Sequence, residues 1–362
     1  EIQQSGKQEK DWIKVMEDFY ANLVSLKPAH FWSPKPWITL EIAKVRGEIC
    51  FYVAAPKKYA EFIEKKINSI YPDAEVVRCK DFNIFGYKEK VFCGWLKTVK
   101  PKYLPLKTYN FIETDPLSSI TNILTKMDSA EEAAVQIVLQ NYSTNWQARG
   151  REIIKLMRQG KSFLGAYNGT SFWQSLFSGA SSKEDKFQSP ASQNSEELLK
   201  QLENKLAKHS FAVNIRIVVS IKNPIRSKEI FNELADSFDQ FSSPDLNQFQ
   251  VITQTGRAAE KTLSDYIFRR FNPSQSFLLN TEELAGIYHF PTPLLRTPDI
   301  KNLISKAAPA PANMPNEGLL LGFNEYRGQK KDVFLTSGDR RRHLYVIGQT
   351  GTGKSAFLSN LI

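Results

Sequence analysis

The eight residues 348–355, GQTGTGKS, contain the residue types that proteins use to bind phosphate. A glycine, four further residues and the sequence Gly353, Lys354, Ser355 match the P-loop pattern, and the loop holds an additional glycine. Glycine lets the backbone turn successive N–H groups toward one anion and leaves no side chain in the way of the phosphates. The pattern therefore predicts a cradle of amide hydrogens for the tail of a nucleoside triphosphate.

The residues at the end of this loop have distinct expected roles. Lys354, the candidate catalytic residue, would reach the β- and γ-phosphates, and the Ser355 hydroxyl would coordinate magnesium. The positive end of a helix that starts here would add to the attraction. We therefore predict ATP and Mg²⁺ as cofactors. The expected nucleotide-binding residues are Gly348, Gln349, Thr350, Gly351, Thr352, Gly353, Lys354, Ser355 and Ala356.

The segments on either side of the loop fit the same interpretation. Residues 344–347 form a short apolar run that predicts a buried strand, and residues 356–362 have the composition of a helix. Strand, loop and helix in this order are the context that supports a P-loop match. The alternative is a chance glycine-rich turn that precedes a helix.

A charged run, DRRRH, precedes the predicted strand at residues 339–343. One interpretation is a solvated face, which is the common fate of such runs. The other is that an arginine of this run contacts a neighbouring subunit or the nucleotide. The sequence leaves both open.

The composition describes a folded protein of more than one domain. The chain has 362 residues, of which 41% are hydrophobic and 24% are charged, so it exceeds the usual size of one hydrophobic core. A formal net charge of +10 favours a polyanionic partner, either nucleic acid or the anionic face of a membrane. A lysine-rich solvated surface would give the same charge, and this alternative stays open.

Cysteine content and the lack of long apolar runs restrict the compartment. The three cysteines, Cys50, Cys79 and Cys93, are widely spaced and form no CxxC pair, which argues against a disulfide framework and against a zinc site. The sequence contains no apolar stretch long enough to span a bilayer and no signal peptide. We therefore expect a cytoplasmic protein.

Residues 1–159 are predicted to form an N-terminal α+β module. Its first elements follow one another as β-β-α-β, which gives the module ferredoxin-like, split β-α-β character. Asp115 followed by Pro116 indicates a helix start, because the carboxylate can cap the helix and proline suits its first position. The predicted helices cover residues 12–26, 59–70, 117–127 and 146–158, the last of them basic, and the predicted strands cover 38–42, 49–54, 74–79 and 135–139.

A second α+β module, residues 196–305, repeats this rhythm of elements. A flexible linker over 160–195, rich in Gly, Ser, Asn and Gln, separates the two modules. An Ala/Pro-rich linker over 306–317 then leads to residues 318–362, the truncated start of an α/β P-loop NTPase domain. The predicted elements are helices over 198–206, 230–238 and 266–271, strands over 213–221 and 249–253, and a hairpin of residues 319–323 and 333–336.

Cations and aromatic rings are interleaved between residues 95 and 109. Such a mixture suits the backbone and the bases of nucleic acid. An exposed strand whose lysines protect a sheet edge gives the same pattern. The residues concerned are Trp95, Lys97, Lys100, Lys102, Tyr103, Lys107 and Tyr109.

The stretch 318–362, which contains GLLLGFNEYRG and DRRRHLYVIGQTGTGKS, resembles the HerA and FtsK superfamily, particularly the type IV secretion and conjugation ATPases. The GQTGTGKS form carries most of this likeness. Upstream, the segments DPLSSITNIL and LLNTEELAGIYHFP are similar to segments found ahead of the motor in conjugation-type ATPases.

The resemblance implies a ring-forming, hexameric ATPase that moves DNA or powers a secretion channel, peripheral at the inner face of a bacterial membrane. The implied partners are further copies of the chain, DNA and membrane secretion-channel proteins. The family's Walker B acid, sensor residues and arginine finger have no counterpart in this sequence. We therefore expect no appreciable ATP hydrolysis by these 362 residues alone.

Two other functions stay open at this point. One is an energiser of protein secretion that never touches DNA. The other is a non-catalytic, membrane-associated scaffold whose P-loop binds nucleotide only as a structural or regulatory ligand.

Overall fold

The structure is a computed structural model that divides into two compact units. The first unit comprises Glu1–Pro72 and Arg78–Asn302, and the second comprises Asp73–Val77 and Leu303–Ile362. The residues that the structure describes are 2–26, 28, 32, 34–72, 74–86, 89–143, 145–169, 193–292, 295, 310–311, 313–326, 329–342, 344–346 and 353–361.

Within its described residues, the first unit is built on a sheet of seven strands in which every neighbouring pair is antiparallel. The strands are β1 (Trp37–Val45), β2 (Glu48–Ala54), β3 (Lys90–Thr98), β4 (Glu132–Asn141), β5 (Ser210–Ile221), β6 (Phe249–Gln254) and β7 (Phe277–Asn280). The order across the sheet is β2-β1-β4-β5-β3-β6. The short β7 pairs with residues 210–213 of β5, beyond the part of β5 that pairs with β3.

Helices cover both faces of this sheet. They are α1 (Ile2–Leu23), α2 (Lys57–Ile70), α3 (Leu117–Thr125), α4 (Trp146–Arg158), α5 (Phe163–Gly169), α6 (Gln193–Ala207), α7 (Pro224–Asp236), α8 (Gly256–Ile267) and α9 (Thr281–Ile287). Because successive residues of a strand point to opposite faces, the neighbours Cys93 and Gly94 show what covers each face. Cys93 Sγ lies 3.7 Å from the Ala259 carbonyl oxygen of α8, whereas Phe231 of α7 packs over Gly94. The sheet is therefore a middle layer.

Apolar side chains fill the α7 face of the sheet. In the central strand β5, Ile215, Ile217 and Val219 are fully buried, and their alternation with other residue types confirms the strand predicted over 213–221. The intervening side chains, such as Arg216, are buried as well. This strand is covered on both faces because α8 and the segment that precedes β3 pack on the second face.

A row of polar side chains crosses the α8 face. Glu41, Gln136 and Arg216 are cross-strand neighbours on β1, β4 and β5. Gln136 donates from Nε2 to Glu41 Oε1 (2.7 Å) and accepts at Oε1 from Arg216 Nη1 (2.8 Å). Arg269, just after α8, donates twice to the Glu41 carboxylate, at 3.0 Å each. Because buried charges persist only when they are paired, this row fastens the end of α8 to the sheet.

The pKa shifts in this row follow from its burial. Loss of solvent lowers the pKa of Arg216 to about 10, although Asp265 acts in the opposite direction. Burial raises the pKa of Glu41, since it disfavours the charged carboxylate. Arg269 and Gln136 lower this pKa, but burial has the larger effect. Neither group is presented to solvent, so the row is a structural contact within the sheet and not a reactive site.

Strands from both predicted modules alternate in this one sheet. β4 lies beside β5, and β3 lies between β5 and β6. The strands of both predicted modules therefore share one sheet and one core, and the division into two modules is replaced by a single α+β domain that ends at Asn302. Periodicity predicts strands but not their neighbours, which is why the sequence suggests two modules. The chain keeps the β-β-α-β order, but β3 pairs with β5 and β6 and not with the first hairpin.

Several predicted elements differ from those observed. Residues 74–79, predicted as a strand, are irregular, and the strand after α2 is β3. An extended run becomes a strand only when its backbone groups find a paired neighbour, and 74–79 have no such neighbour among the described residues. The helix predicted over 266–271 lies earlier, as α8, since Arg269 adopts a left-handed conformation (φ 49°). β7 and α9 were not predicted.

Part of the predicted linker over 160–195 is ordered. Residues 163–169 form α5, and Ala166 of this helix is fully buried in a cluster with Trp146 and Leu202. The helix α6 begins at Gln193, inside the predicted linker. Residues 170–192 of the predicted linker, and residues 306–309 and 312 of the Ala/Pro-rich linker, lie outside the described residues.

Three of the residues between 95 and 109, Lys97, Tyr103 and Tyr109, do not have the positions expected for them. β3 is an interior strand, so Lys97 protects no sheet edge. Tyr103 and Tyr109 are only 3% and 2% exposed, and Lys102 Nζ donates to the Tyr142 hydroxyl at 3.1 Å. The two tyrosine rings therefore belong to the core and are not available to stack on bases.

The second unit contains the hairpin β8 (Leu319–Tyr326) and β9 (Gln329–Leu335) and the helix α10 (Lys354–Leu361). The predicted hairpin is confirmed. None of the residues whose burial is described in this unit is buried, and the apolar Leu320 and Phe323 are 56% and 59% exposed. Across the described residues of the chain, no helix has both the length and the apolar character needed to cross a membrane.

Candidate functional site

The end of the predicted phosphate-binding loop is a glycine followed directly by a helix. Gly353 has a φ of +83°, a left-handed conformation that glycine adopts without strain and other residues rarely adopt. Lys354 is the first residue of α10, and the Phe357 N–H donates to the Gly353 carbonyl at 2.9 Å, which closes the first helical turn. Gly348, Gln349, Thr350, Gly351 and Thr352 lie outside the described residues.

The described residues of the loop bring several suitable donors together. Lys354 is half-buried, while Ser355 and Ala356 are exposed at the start of α10. The first N–H groups of a helix lack partners within the helix and point toward its positive end. An ammonium, a hydroxyl and these N–H groups are a donor set that suits an anion with an associated hard cation.

The segment that enters the loop differs from its prediction. Residues 344–346, predicted as part of a buried strand, are not in a strand, and Leu344 and Tyr345 are 52% and 87% exposed. Residue 347 lies outside the described part of the chain. An apolar run needs neighbouring strands to pair with, and the described second unit provides only the β8–β9 hairpin, whose strands pair with each other. The helix predicted after the loop is confirmed as α10.

The arginine run before the loop lies on a short turn of 3₁₀ helix, Asp339–Arg341. The Asp339 N–H donates to Thr336 Oγ1 at 3.1 Å, and this hydroxyl donates to Asp339 Oδ2 at 2.7 Å. Arg340 Nη2 donates to the Leu361 carbonyl at the end of α10 (3.1 Å). Arg342 is 82% exposed and lies 3.8 Å from Asp339. One arginine thus contacts the loop's helix, and another faces solvent.

A buried contact between a carboxylate and an imidazole joins the segment DPLSSITNIL to the segment LLNTEELAGIYHFP. Asp115 begins DPLSSITNIL, and His289 lies near the end of LLNTEELAGIYHFP. His289 Nε2 lies 3.1 Å from Asp115 Oδ1, and both side chains are almost fully buried. His289 Nδ1 lies 3.0 Å from the Ala285 carbonyl oxygen, so one ring nitrogen faces a carbonyl and the other faces the carboxylate. The sequence indicated the helix start at Asp115 but gave no signal for its distant partner.

The carboxylate of Asp115 is occupied on both oxygens. The Leu117 N–H donates to Oδ1 at 2.8 Å, and the Thr292 hydroxyl lies 3.5 Å from Oδ2. Burial raises the pKa of Asp115, but the charge of His289 and these hydrogen bonds outweigh burial and leave the pKa below its ordinary value. The pair therefore holds two segments together and presents no reactive oxygen.

A second buried ion pair fastens α9 to α6. Lys205 Nζ lies 2.9 Å from Glu283 Oε1, and both side chains are almost fully buried. The same carboxylate accepts two further hydrogen bonds. The Leu106 N–H donates to Oε1 at 2.8 Å, and the Asn280 N–H donates to Oε2 at 2.8 Å. The Asn280 side chain in turn accepts from the Glu283 N–H, which completes a capping box at the start of α9.

Within the described part of the chain, no group of three or more His, Cys, Asp or Glu residues is arranged to hold a metal ion. Cys50, Cys79 and Cys93 carry free thiols. Burial raises the pKa of the Cys93 thiol to about 11, so this thiol is a poor nucleophile.

Comparison with known proteins identifies one family. The family model described as Domain of unknown function (DUF8128) matches residues 2–302. The match ends where the first unit ends, so it covers the seven-stranded domain and not residues 348–356. No curated protein matches the chain.

Proposed function

Given that the chain belongs to the family described as Domain of unknown function (DUF8128), we propose that residues 348–355, which follow the matched part, bind the phosphates of ATP. The protein is then an ATP-binding component of a motor of the conjugation or type IV secretion type. The seven-stranded domain is its accessory part, and it serves assembly, docking or substrate recognition.

One observation carries the proposal. Gly353 adopts a left-handed conformation immediately before a helix that begins at Lys354, at the end of a sequence that matches the P-loop pattern. Lys354 would hold the β- and γ-phosphates, and Ser355 would hold Mg²⁺. The bound metal ion would supply charge that offsets the negative phosphate oxygens. The donor types at these positions fit both groups.

Nucleotide binding can be tested directly. Lys354→Ala removes a charge-assisted contact worth about 1.5–3 kcal/mol, so the affinity for ATP with Mg²⁺ should fall about 10- to 100-fold, to the limit of detection. Isothermal titration calorimetry on the full chain measures this. Lys330→Ala, in β9 of the same unit, is the matched control and should keep the affinity of the unaltered chain. Equal affinities of the Lys354→Ala and unaltered chains would rule out this site.

The proposed partners are further copies of the chain in a hexamer, DNA, and membrane secretion-channel proteins, with the protein peripheral at the inner face of a membrane. A DNA translocase should bind duplex DNA, whereas an energiser of protein secretion should not. Binding to the phosphates should weaken as the salt concentration rises, because neutralised phosphates release counterions. The second candidate is a non-catalytic, membrane-associated scaffold whose nucleotide site is structural or regulatory. Nucleotide binding without ATP turnover in the assembled protein would support that candidate.

A further inference from the structure

The basic helix α4 forms one side of a groove on the surface of the first unit. The helix α6 forms the other side, and the groove has a volume of about 590 Å³. The lining residues that matter here are Arg151, Ile154, Lys155 and Arg158 of α4 and Glu203 and Leu206 of α6.

The groove is lined by three basic side chains and by one carboxylate. Arg151, Lys155 and Arg158 recur at positions i, i+4 and i+7, which places them on one side of α4, and all three are exposed. Glu203 forms an ion pair with Arg158. No acidic side chain among the described residues pairs with Arg151 or Lys155. The groove therefore keeps an excess of positive charge.

Helix stabilisation accounts for only part of this charge. Lys155 and Arg158 lie in the last turn of α4, where cations interact favourably with the negative end of the helix dipole. Arg151 lies in the middle of α4, beyond the reach of that effect. An anionic ligand with several negative charges in a row accounts for all three positions.

The spacing of the cations suits a phosphodiester backbone. At 1.5 Å per residue, Arg151 and Arg158 are separated by about 10.5 Å along the axis of α4. One strand of a DNA duplex presents a phosphate about every 3.4 Å along its axis, so about three phosphates fall within this length. Ile154 and Leu206 are buried between the helices, and none of the described lining residues is aromatic. Backbone contact without base stacking is therefore the expected mode.

We propose that the groove between α4 and α6 binds the phosphate backbone of DNA without regard to sequence. The proposal rests on the proposed function for the identity of the polymer, but the groove and the phosphate-binding loop use different residues. Failure of one is therefore distinguishable from failure of the other, since Lys354→Ala should lose ATP binding and keep DNA binding.

The test is the salt dependence of duplex binding by the full chain. The affinity for a short, labelled duplex of mixed sequence is measured by fluorescence anisotropy between about 50 and 200 mM salt. The double variant Arg151→Ala/Lys155→Ala should bind about tenfold or more weakly at the lower salt, and the slope of log affinity against log salt should fall by about 1.8.

A matched control is present in α8. Arg257 and Lys261 are exposed and have the same residue types at the same spacing, but they do not line the groove. The Arg257→Ala/Lys261→Ala variant removes the same charge, so it should keep nearly the full affinity and slope. In addition, Glu203→Gln releases Arg158 from its ion pair and should tighten duplex binding.

The opposite results would overturn the proposal. An unchanged slope in Arg151→Ala/Lys155→Ala, or an equal loss in the α8 control, would show that DNA binding is a general effect of charge. Weaker duplex binding by Glu203→Gln would exclude the groove. Binding to vesicles of anionic lipid with no binding to the duplex would assign the groove to a membrane surface. Circular dichroism and thermal unfolding verify that each variant is folded.

Discussion

Asp115 shows how one side chain can begin a helix and also fix a distant segment. Its carboxylate accepts a hydrogen bond from the Leu117 N–H at the start of α3. The same carboxylate contacts the ring of His289, which follows α9. A carboxylate in the interior is costly unless it is paired and hydrogen-bonded. The start of α3 and the segment after α9 are thus fixed to each other through this one group.

Replacing His289 by leucine should leave the Asp115 charge without its partner. We expect a loss of about 3–5 kcal/mol in the free energy of unfolding at neutral pH, because an uncompensated buried charge remains. Urea unfolding followed by circular dichroism measures this loss. His209→Leu, which alters an exposed ring just after α6, should change stability by no more than about 0.5 kcal/mol.

The same comparison has a pH dependence with a defined sign. The pKa of Asp115 is lowered in the folded state, so the stability it provides is present above its ordinary value of 3.8 and is lost as the pH falls through the lower folded value. The difference between the unaltered chain and His289→Leu should therefore shrink below about pH 4. A difference that stays constant down to about pH 2 would contradict the ion-pair interpretation.

At the level of elements, the ion pair of Lys205 and Glu283 connects two helices that are far apart in sequence. Lys205 also donates to the Leu104 carbonyl (3.2 Å) and to the Leu278 carbonyl (3.4 Å). The ammonium therefore joins α6 to β7 and to the loop after β3. A cluster of buried apolar residues that includes Trp146, Ala166 and Leu202 packs α4, α5 and α6 together beside this connection.

Lys205→Met should destabilise the domain because Glu283 then keeps a buried charge with only N–H partners. We expect a loss of about 3 kcal/mol or more. Lys200→Met is the control, since Lys200 lies on the same helix but is exposed, and its effect should stay within about 0.5 kcal/mol. Both values come from urea unfolding. Similar small losses in the two variants would show that hydrogen bonds alone keep Glu283 in place.

Sequence patterns predicted the elements whose periodicity is local and complete. The prediction for α4, residues 146–158, agrees with the observed Trp146–Arg158, because its apolar stripe and its ends are all encoded nearby. β3 was not predicted, since its sequence, KVFCGWLKT, is covered on both faces and lacks strict alternation. α9 is only seven residues long, but its Asn280 and Glu283 form a capping-box signature that could have indicated it.

The candidate sites were predictable to different degrees. The glycine, lysine and serine of the proposed phosphate-binding loop are contiguous, so a pattern finds them without any knowledge of the fold. The groove combines α4 with Glu203 and Leu206 of α6. Asp115 and His289 are in contact, but they are far apart in the sequence. Sites of this kind depend on pairing between distant strands, and a single sequence carries no direct signal for that pairing.

For the molecule as a whole, the two units differ in how much of themselves they bury. The first unit has its own core on both faces of one sheet, whereas none of the residues with described burial in the second unit is buried. A chain that ends at Asn302 should therefore fold and unfold cooperatively, because the residues that form its core are all retained. Differential scanning calorimetry tests this expectation.

The corresponding result for the second unit provides a contrast. A peptide of residues 303–362 should show no cooperative thermal transition, since its described residues provide no core. A sharp transition in this peptide, or its absence in the chain that ends at Asn302, would show that the division between the units is drawn in the wrong place.

The position of β3 between β5 and β6 has a consequence for synthesis on the ribosome. β3 ends at Thr98, whereas both strands that flank it begin about 110 residues or more later in the chain. During synthesis, β3 leaves the ribosome before β5 and β6 have been made. Its backbone groups are then unpaired and its apolar side chains exposed, so they can associate with other nascent chains. Such non-local pairing is slow, so we expect this domain to need chaperone protection until β6 has emerged.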